Sequence, residues 1–335
     1  MIRLINRLAW VLVVVWASIT LTFVLSRLVP ADPARLAAGL EAGPEQVAEV
    51  RKLLGLDKPL LLQYFDYFLN IVQFDLGTSI QTRQPVLDDV LYALPPTLEL
   101  VFITFFIYVV LSITLGVLWA RFSKGLLSLT LNIITILGSS MPVFWIALVF
   151  QLFFAGKLLW FPIAGNLDYD IYGIKRITGS GTLDSLIQFD FPAFQSALSA
   201  LVLPVSSLVI TMLPVAVRLT KSTVERELGN LYIRAARSRG FSESKIFFSE
   251  ALKNAVNPVI TMMGLQFGWL LGGTILVEVV FSWPGLGLYS FNAFRTFDYN
   301  PILAITLIVT VTFVIVNELV TLIYPIFDPR QKRKL

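Results

Sequence analysis

Six apolar runs, each near or above the length that crosses a bilayer, dominate this sequence: Leu8–Leu25, Leu98–Ala120, Leu126–Phe154, Ala197–Val217, Pro258–Phe281 and Ile302–Ile323. A spanning helix needs about 20 mostly apolar residues, because hydrocarbon offers no partner to an unpaired backbone group and a helix satisfies its own. Composition agrees: 56% of the 335 residues are hydrophobic and 14% charged, whereas soluble domains carry about 25% charged residues. So large an excess cannot be hidden in one globular core. The predicted fold class is all-α: a polytopic membrane protein with six transmembrane helices.

The first run follows Arg3 and Arg7, as a secretory signal would, but its 18 residues exceed the usual 7–15 and Arg27-Leu28-Val29-Pro30 is no small-residue cleavage site. It reads as a retained helix. The third run is interrupted by Met141-Pro142 and should kink or tilt there. Leu60–Gln73 has only 14 residues and carries Gln63, Asp66 and Asn70, so it should lie on the membrane surface or pack in an external domain. Ile171–Phe191 is polar and Gly-rich and reads as a loop.

Six spans put both termini on one side, and Lys and Arg choose that side. With the N-terminus inside, the inner segments 1–7, 121–125, 218–256 and 325–335 hold 16 basic and 5 acidic residues; the outer segments 26–97, 156–196 and 282–301 hold 10 basic and 14 acidic. Both ends are therefore expected in the cytoplasm. The resulting organisation is a first helix ending at residue 25, an external segment 26–97, a core of five helices over 98–323, and a basic tail over 324–335. The core carries an external loop 156–196 and a cytoplasmic loop 218–256. In the external segment, Pro44–Leu54 has an apolar face at helical spacing.

The chain has no Cys and no His, so thiol catalysis, Cys/His zinc sites and His general-base chemistry are excluded. A net charge of +4 is too small to suggest nucleic acid. No phosphate-cradling loop occurs either. The single Gly-Lys, Gly156-Lys157, has Gln151 at the first Gly position and Leu158 in place of the hydroxyl that binds magnesium. No cofactor or metal is expected on this chain, and no enzymatic activity.

The most informative stretch is the cytoplasmic loop. Leu231–Arg239 has good helix formers and ends in cations, Gly240 can close it in the left-handed conformation, and Ser242 can cap a second helix, Glu243–Val256, before Pro258 opens the next span. The first helix has too little apolar area to bury itself against its own chain. It could serve as a rigid peg for a groove on another protein, or as a basic patch for anionic headgroups.

The loop resembles the coupling loop of ABC-transporter permeases in the dipeptide/oligopeptide (and nickel) import family, matching at Tyr232, Arg234, Ala235, Ala236, Arg237, Gly240, Ala251, Leu252, Asn254, Ala255 and Pro258. Arg234 stands where the general motif has Glu, which is usual in the peptide branch. The resemblance continues through Leu28–Pro33, Leu54–Pro59 with Gln63-Tyr64, Asp75–Ser79, Pro96–Leu100, Met141–Trp145 and Phe281–Gly287. It implies a type I importer permease, of the kind paired with a sister permease in a heterodimer. Two ATPase subunits holding ATP and magnesium lie on the cytoplasmic side, and an external protein delivers a peptide substrate. Tyr232, Arg234, Ala235, Ala236, Arg237, Gly240 and Phe241 would couple to the ATPase in the inner membrane of a bacterium. Relatives carry other solutes as well (antimicrobial peptides, nickel chelates, oligosaccharides).

Three further features have competing readings. Gly264, Gly268 and Gly272 repeat every four residues and could form a helix-packing stripe or a subunit interface. Phe281, Ser282, Trp283, Pro284 and Gly285 could form an external gate or docking lip, with Trp283 at the membrane interface, or a plain turn. Glu99, Glu278 and Glu318 lie near span ends, where local pairing or contact with water is favoured over the proton relay of a secondary transporter; no inverted repeat supports the latter. Asn257, Gln266 and Asn317 could line a passage or bond neighbouring helices.

Overall fold

The structure is a computed structural model and describes residues 2–28, 33–39, 42–53 and 55–327. The Val29–Asp32 part of the motif after the first apolar run, Leu54 and the tail beyond 327 lie outside the described residues. The chain forms two compact units, one of Met1–Thr97 with Pro284–Val314 and one of Leu98–Trp283 with Ile315–Leu335.

The first unit contains α1 (Ile2–Leu28), α2 (Pro33–Ala38), α3 (Pro44–Leu53), α4 (Leu60–Val72), the opening turns of α5 (Val86–Arg121), then α14 (Leu286–Arg295) and most of α15 (Tyr299–Phe327). Val86, Val90, Ala93, Leu286, Ala304 and Ile305 form its buried core. Thr97 Oγ1 accepts the Leu286 N–H at 2.8 Å, so the free N-terminus of α14 is satisfied by the motif that precedes the second apolar run. Asp298 ties down the segment between α4 and α5: its Oδ2 accepts the Ser79 hydroxyl at 2.7 Å and the N–H groups of Ile80 and Gln81 at 2.7 and 3.1 Å. Gly77 there has φ +77°, which favours glycine, and a Cβ on it would have to displace the Asn300 side-chain amide, 2.7 Å away.

The second unit contains the rest of α5, α6 (Leu126–Ser140), α7 (Val143–Phe150), α8 (Tyr169–Tyr172), α9 (Gly181–Ile187), α10 (Phe191–Leu228), α11 (Leu231–Ser238), α12 (Glu243–Lys245) and α13 (Leu252–Val280). Helix α10 is its axis, packed by α6, α7, α9 and α13. Close approach is set by glycines on α5 and α6. A Cβ on Gly138 would lie 2.6 Å from the Ile210 carbonyl, and one on Gly116 would collide with Thr220.

Among the described residues, four helices are long and apolar enough to cross a membrane: Val86–Arg121, Phe191–Leu228, Glu243–Val280 and Tyr299–Val316. The third predicted run is more than kinked. Leu126–Ser140 and Val143–Lys157 meet at 108°, and count as a fifth span only if taken together. Pro142 forces Met141 out of the helical region, to φ −106° and ψ 134°. Of the first apolar run, Ala9–Val24 is described as a shorter apolar helix within α1.

Two expectations need correcting. Pro258 does not open a span; it lies inside α13, which continues backward through a π-helical turn, Ile246–Ala251, and α12 into one 38-residue helix, Glu243–Val280. Ile171–Phe191 is not simply a loop. It carries α8 and α9 folded around a carboxylate, Asp184, whose surroundings no periodicity reveals.

Candidate functional site

The loop between α10 and α13 is built on α11. Asn230 starts the helix in extended geometry, and Gly240, at φ +79°, ends it. The Phe241 N–H donates to the Ala236 carbonyl at 3.2 Å and the Gly240 N–H to that of Arg237 at 2.9 Å, the paired closure that left-handed glycine permits. Nothing lies within 4 Å of a Cβ placed on Gly240, so its backbone angle alone demands glycine.

The expectation that α11 cannot bury itself is overturned. Ile233 and Ala236 are buried in one cluster with Val117 and Ala120 of α5, Val224 of α10, and Ile246, Phe247, Ala251 and Ala255. Too little apolar area on α11 alone is no obstacle when three neighbouring elements supply the rest. The opposite face, Leu231, Arg234, Ala235 and Ser238, is exposed, with Leu231 at 79%. These positions are spaced by 3, 4 and 7 residues and form one stripe along the helix. The two alanines therefore have opposite situations: Ala236 is core and Ala235 is surface.

Polar contacts fix the loop's shape. Glu227 accepts the Tyr232 hydroxyl at 2.9 Å and the Asn230 amide at 2.8 Å. Burial and this bond push the Tyr232 hydroxyl up to about 12. Arg237 grips Glu243 in a fork, with nitrogens 2.9 and 3.2 Å from the two carboxylate oxygens, and that bond holds the Glu243 carboxyl below its usual range. Both groups are half exposed, so the pair shapes the loop more than it stabilises it. Phe241 lies beneath the Lys245 ammonium, 4.0 Å from its ring centre. Glu227 and Leu231 were missed in the sequence. Helical spacing from Ala235 would have found Leu231, while Glu227 carries no motif.

In the lip sequence Phe281 and Trp283 are buried, at 2% and 1% exposed; Ser282 is exposed, Pro284 half-buried and Gly285 buried. Here α13 ends by the same closure as α11. The Trp283 N–H donates to the Glu278 carbonyl at 2.8 Å and the Ser282 N–H to Val279 at 3.3 Å, with Ser282 held at φ +47°. Gln151 Nε2 donates to the carbonyls of Val280 and Ile163, both at 2.8 Å, and the Gly165 N–H donates to Phe281 at 2.8 Å. The carbonyls left over at the helix end are thus satisfied.

Glu99 is buried and paired locally: it accepts the N–H groups of Gly181 and Thr182 at 3.1 and 2.8 Å and the Thr182 hydroxyl at 2.6 Å. Glu278 is fully buried and Glu318 half-buried. Gly264 is buried, Gly268 half-buried and Gly272 exposed with open space beside it, so the stripe turns from core to surface. Asn257 and Gln266 are half-buried, and the side chain of Asn317 lies outside the described residues. Among the described residues, no three His, Cys, Asp or Glu side chains gather as a metal site.

Residues 112–333 match the family described as the inner membrane component of binding-protein-dependent transport systems, and residues 1–101 match the N-terminal part of such a membrane component. The probable D,D-dipeptide transport system permease protein DdpB of Escherichia coli (strain K12) is 37% identical over 96% of this chain and 95% of its own length. The dipeptide transport system permease protein DppB of Alkalihalophilus pseudofirmus is 35% identical over 93% of both chains. The di/tripeptide transport system permease protein DppB of Pseudomonas aeruginosa is 37% identical over 92% of both.

Proposed function

The chain belongs to the inner-membrane components of binding-protein-dependent transport systems, and from that premise we propose that it is one permease half of an ATP-driven importer of dipeptides and oligopeptides. The substrate class is supported by relatives with dipeptide or di/tripeptide in their names, alike from end to end. In this reading α1 and the bent pair α6–α7 complete six spans, and both termini face the cytoplasm, where the inner segments carry 16 basic against 5 acidic residues. A sister permease forms the other half of the passage, with Gly272 on an open face of α13. The segment 26–97 and Ser282 receive the substrate-binding protein outside.

One observation carries the coupling assignment: α11 is anchored by Ile233 and Ala236 on one side and offers Leu231, Arg234, Ala235 and Ser238 on the other. A helix fixed along its back can transmit displacement; a free one would only reorient. ATP-driven closure of two ATPase subunits pushes on that face, and the shared core passes the motion to α10 and α13, exposing the passage to each side in turn. ATP and magnesium stay on the ATPase subunits.

The test compares neighbouring alanines. Ala235→Asp leaves the permease abundant in the membrane but costs about 2 kcal/mol or more at the interface, weakening ATPase co-purification at least about tenfold and lowering peptide uptake accordingly. Ala236→Asp buries an unpaired carboxylate and depletes the permease itself. Full ATPase binding and uptake in Ala235→Asp would refute the assignment.

A further inference from the structure

Helix α4 is too short to cross a bilayer, since its 13 residues rise about 20 Å against a hydrocarbon core of about 30 Å. Its depth is nevertheless fixed by what it touches. Tyr64 shares a 2.8 Å hydrogen bond with Thr20 of α1, and the Phe23 ring lies 5.4 Å from Tyr64 and 5.7 Å from Tyr67. Two residues earlier on α1, Ser18 donates to Thr310 at 3.2 Å. Thr310 lies well inside the apolar span Tyr299–Val316, about 17 Å from its start at 1.5 Å per residue. Ser18 is therefore near mid-bilayer, and α4 grips α1 only about 3–8 Å further along it.

At that level α4 presents three faces. Tyr64 and Tyr67 meet α1. Gln63, Asp66 and Asn70 line a cavity of about 750 Å³ bordered also by Asp75, Asp298 and Asn300. Leu61, Phe65 and Val72 point away from both and are 73%, 58% and 60% exposed. Leaving that face in water would forfeit the burial of three large apolar side chains, and α1 carries similarly bare apolar residues, Trp10 and Trp16 at 69% and 52%.

We propose that α4 is an inserted wall in the leaflet at the C-terminal end of α1, with Leu61, Phe65 and Val72 against lipid acyl chains and its polar face on a water-filled cavity. The occupant of the bare face is lipid rather than protein, because that face lies at the depth of α1's own apolar surface and adjoins it. The proposal needs only a membrane protein, so it stands apart from the solute and the coupling assignment.

The chain's lack of cysteine makes single spin labels direct. Labels at Phe65→Cys, Val72→Cys, Asp66→Cys and Asn70→Cys are compared by power-saturation electron paramagnetic resonance, with the full chain in phosphatidylethanolamine–phosphatidylglycerol vesicles. All four side chains are exposed, so the labels leave folding intact. At 65 and 72 the ratio of relaxation by oxygen to relaxation by a water-soluble nickel chelate should be several-fold higher than at 66 and 70. Equal ratios at all four, low or high, would mean that both faces share one environment, water or lipid. Protection of 65 and 72 from both reagents would mean that protein covers the bare face. Either result overturns the proposal.

Discussion

Two helix ends, at Gly240 and Ser282, use the same pair of closing hydrogen bonds, yet only one has the residue that the geometry favours. A non-glycine residue in the left-handed region costs about 1–2 kcal/mol, less for short polar side chains. Ser282 bears that strain in a turn otherwise secured by Gln151 and Gly165. Ser282→Gly should therefore stabilise the chain by up to about 1 kcal/mol, which raises the melting temperature by about 1–2 °C in a protein of this size. Thermal unfolding in detergent measures it, and an unchanged or lower melting temperature would refute the strain argument. Single residues also mark the limit of sequence reading. Ala235 and Ala236 are chemically identical, and the placement of residues distant in sequence, Val117, Val224 and Phe247 among them, decides which of the two is buried.

At the scale of elements, the apolar runs announced α5, α10, α13 and α15, because hydrocarbon leaves the backbone so few choices. The ends of those elements were not legible. Pro95, Pro96 and Pro258 would normally stop a helix, yet lie inside α5 and α13, where packing outweighs the lost hydrogen bond. The fold of 168–190 was equally hidden, since its organiser is a single carboxylate. Asp184 Oδ1 accepts the N–H and hydroxyl of Thr178 at 2.6 and 2.7 Å; Oδ2 accepts the Tyr169 hydroxyl at 2.9 Å and the N–H groups of Gly179 and Ile177 at 3.0 and 3.2 Å. Burial alone would raise its carboxyl, but these donors outweigh burial and hold it below the ordinary 3.8. A lowered carboxyl stabilises fully above its unfolded value, and that contribution is lost as pH falls through the folded one. Hydrogen exchange at Ile177, Thr178 and Gly179 should thus be slow at neutral pH and lose protection only below about pH 4. Asp184→Asn should lose it at every pH, with a cost of at least about 2 kcal/mol.

For the whole molecule, charge asymmetry makes a prediction that the helices alone do not. Single cysteines placed at Ile5 and at Gln331 should both react with an impermeant thiol reagent only from the inner face of oriented membranes, whereas one at Lys175 should react only from the outer face. Labelling of the two termini from opposite faces would require an odd number of spans, and would remove either α1 or the bent pair α6–α7 from the set of crossings.

The unbroken run from Glu243 to Val280 has a mechanical consequence. At 1.5 Å per residue its 38 residues make a rod about 57 Å long. One end carries the Arg237–Glu243 clasp, and the other the buried Trp283 corner. A rod that long needs little rotation to do visible work: a swing of about 5° about one end displaces the other by about 5 Å, roughly the rise of a helical turn. A displacement at one end of such a rod would therefore be carried to the other as a rigid-body movement, with no helix having to melt along the way.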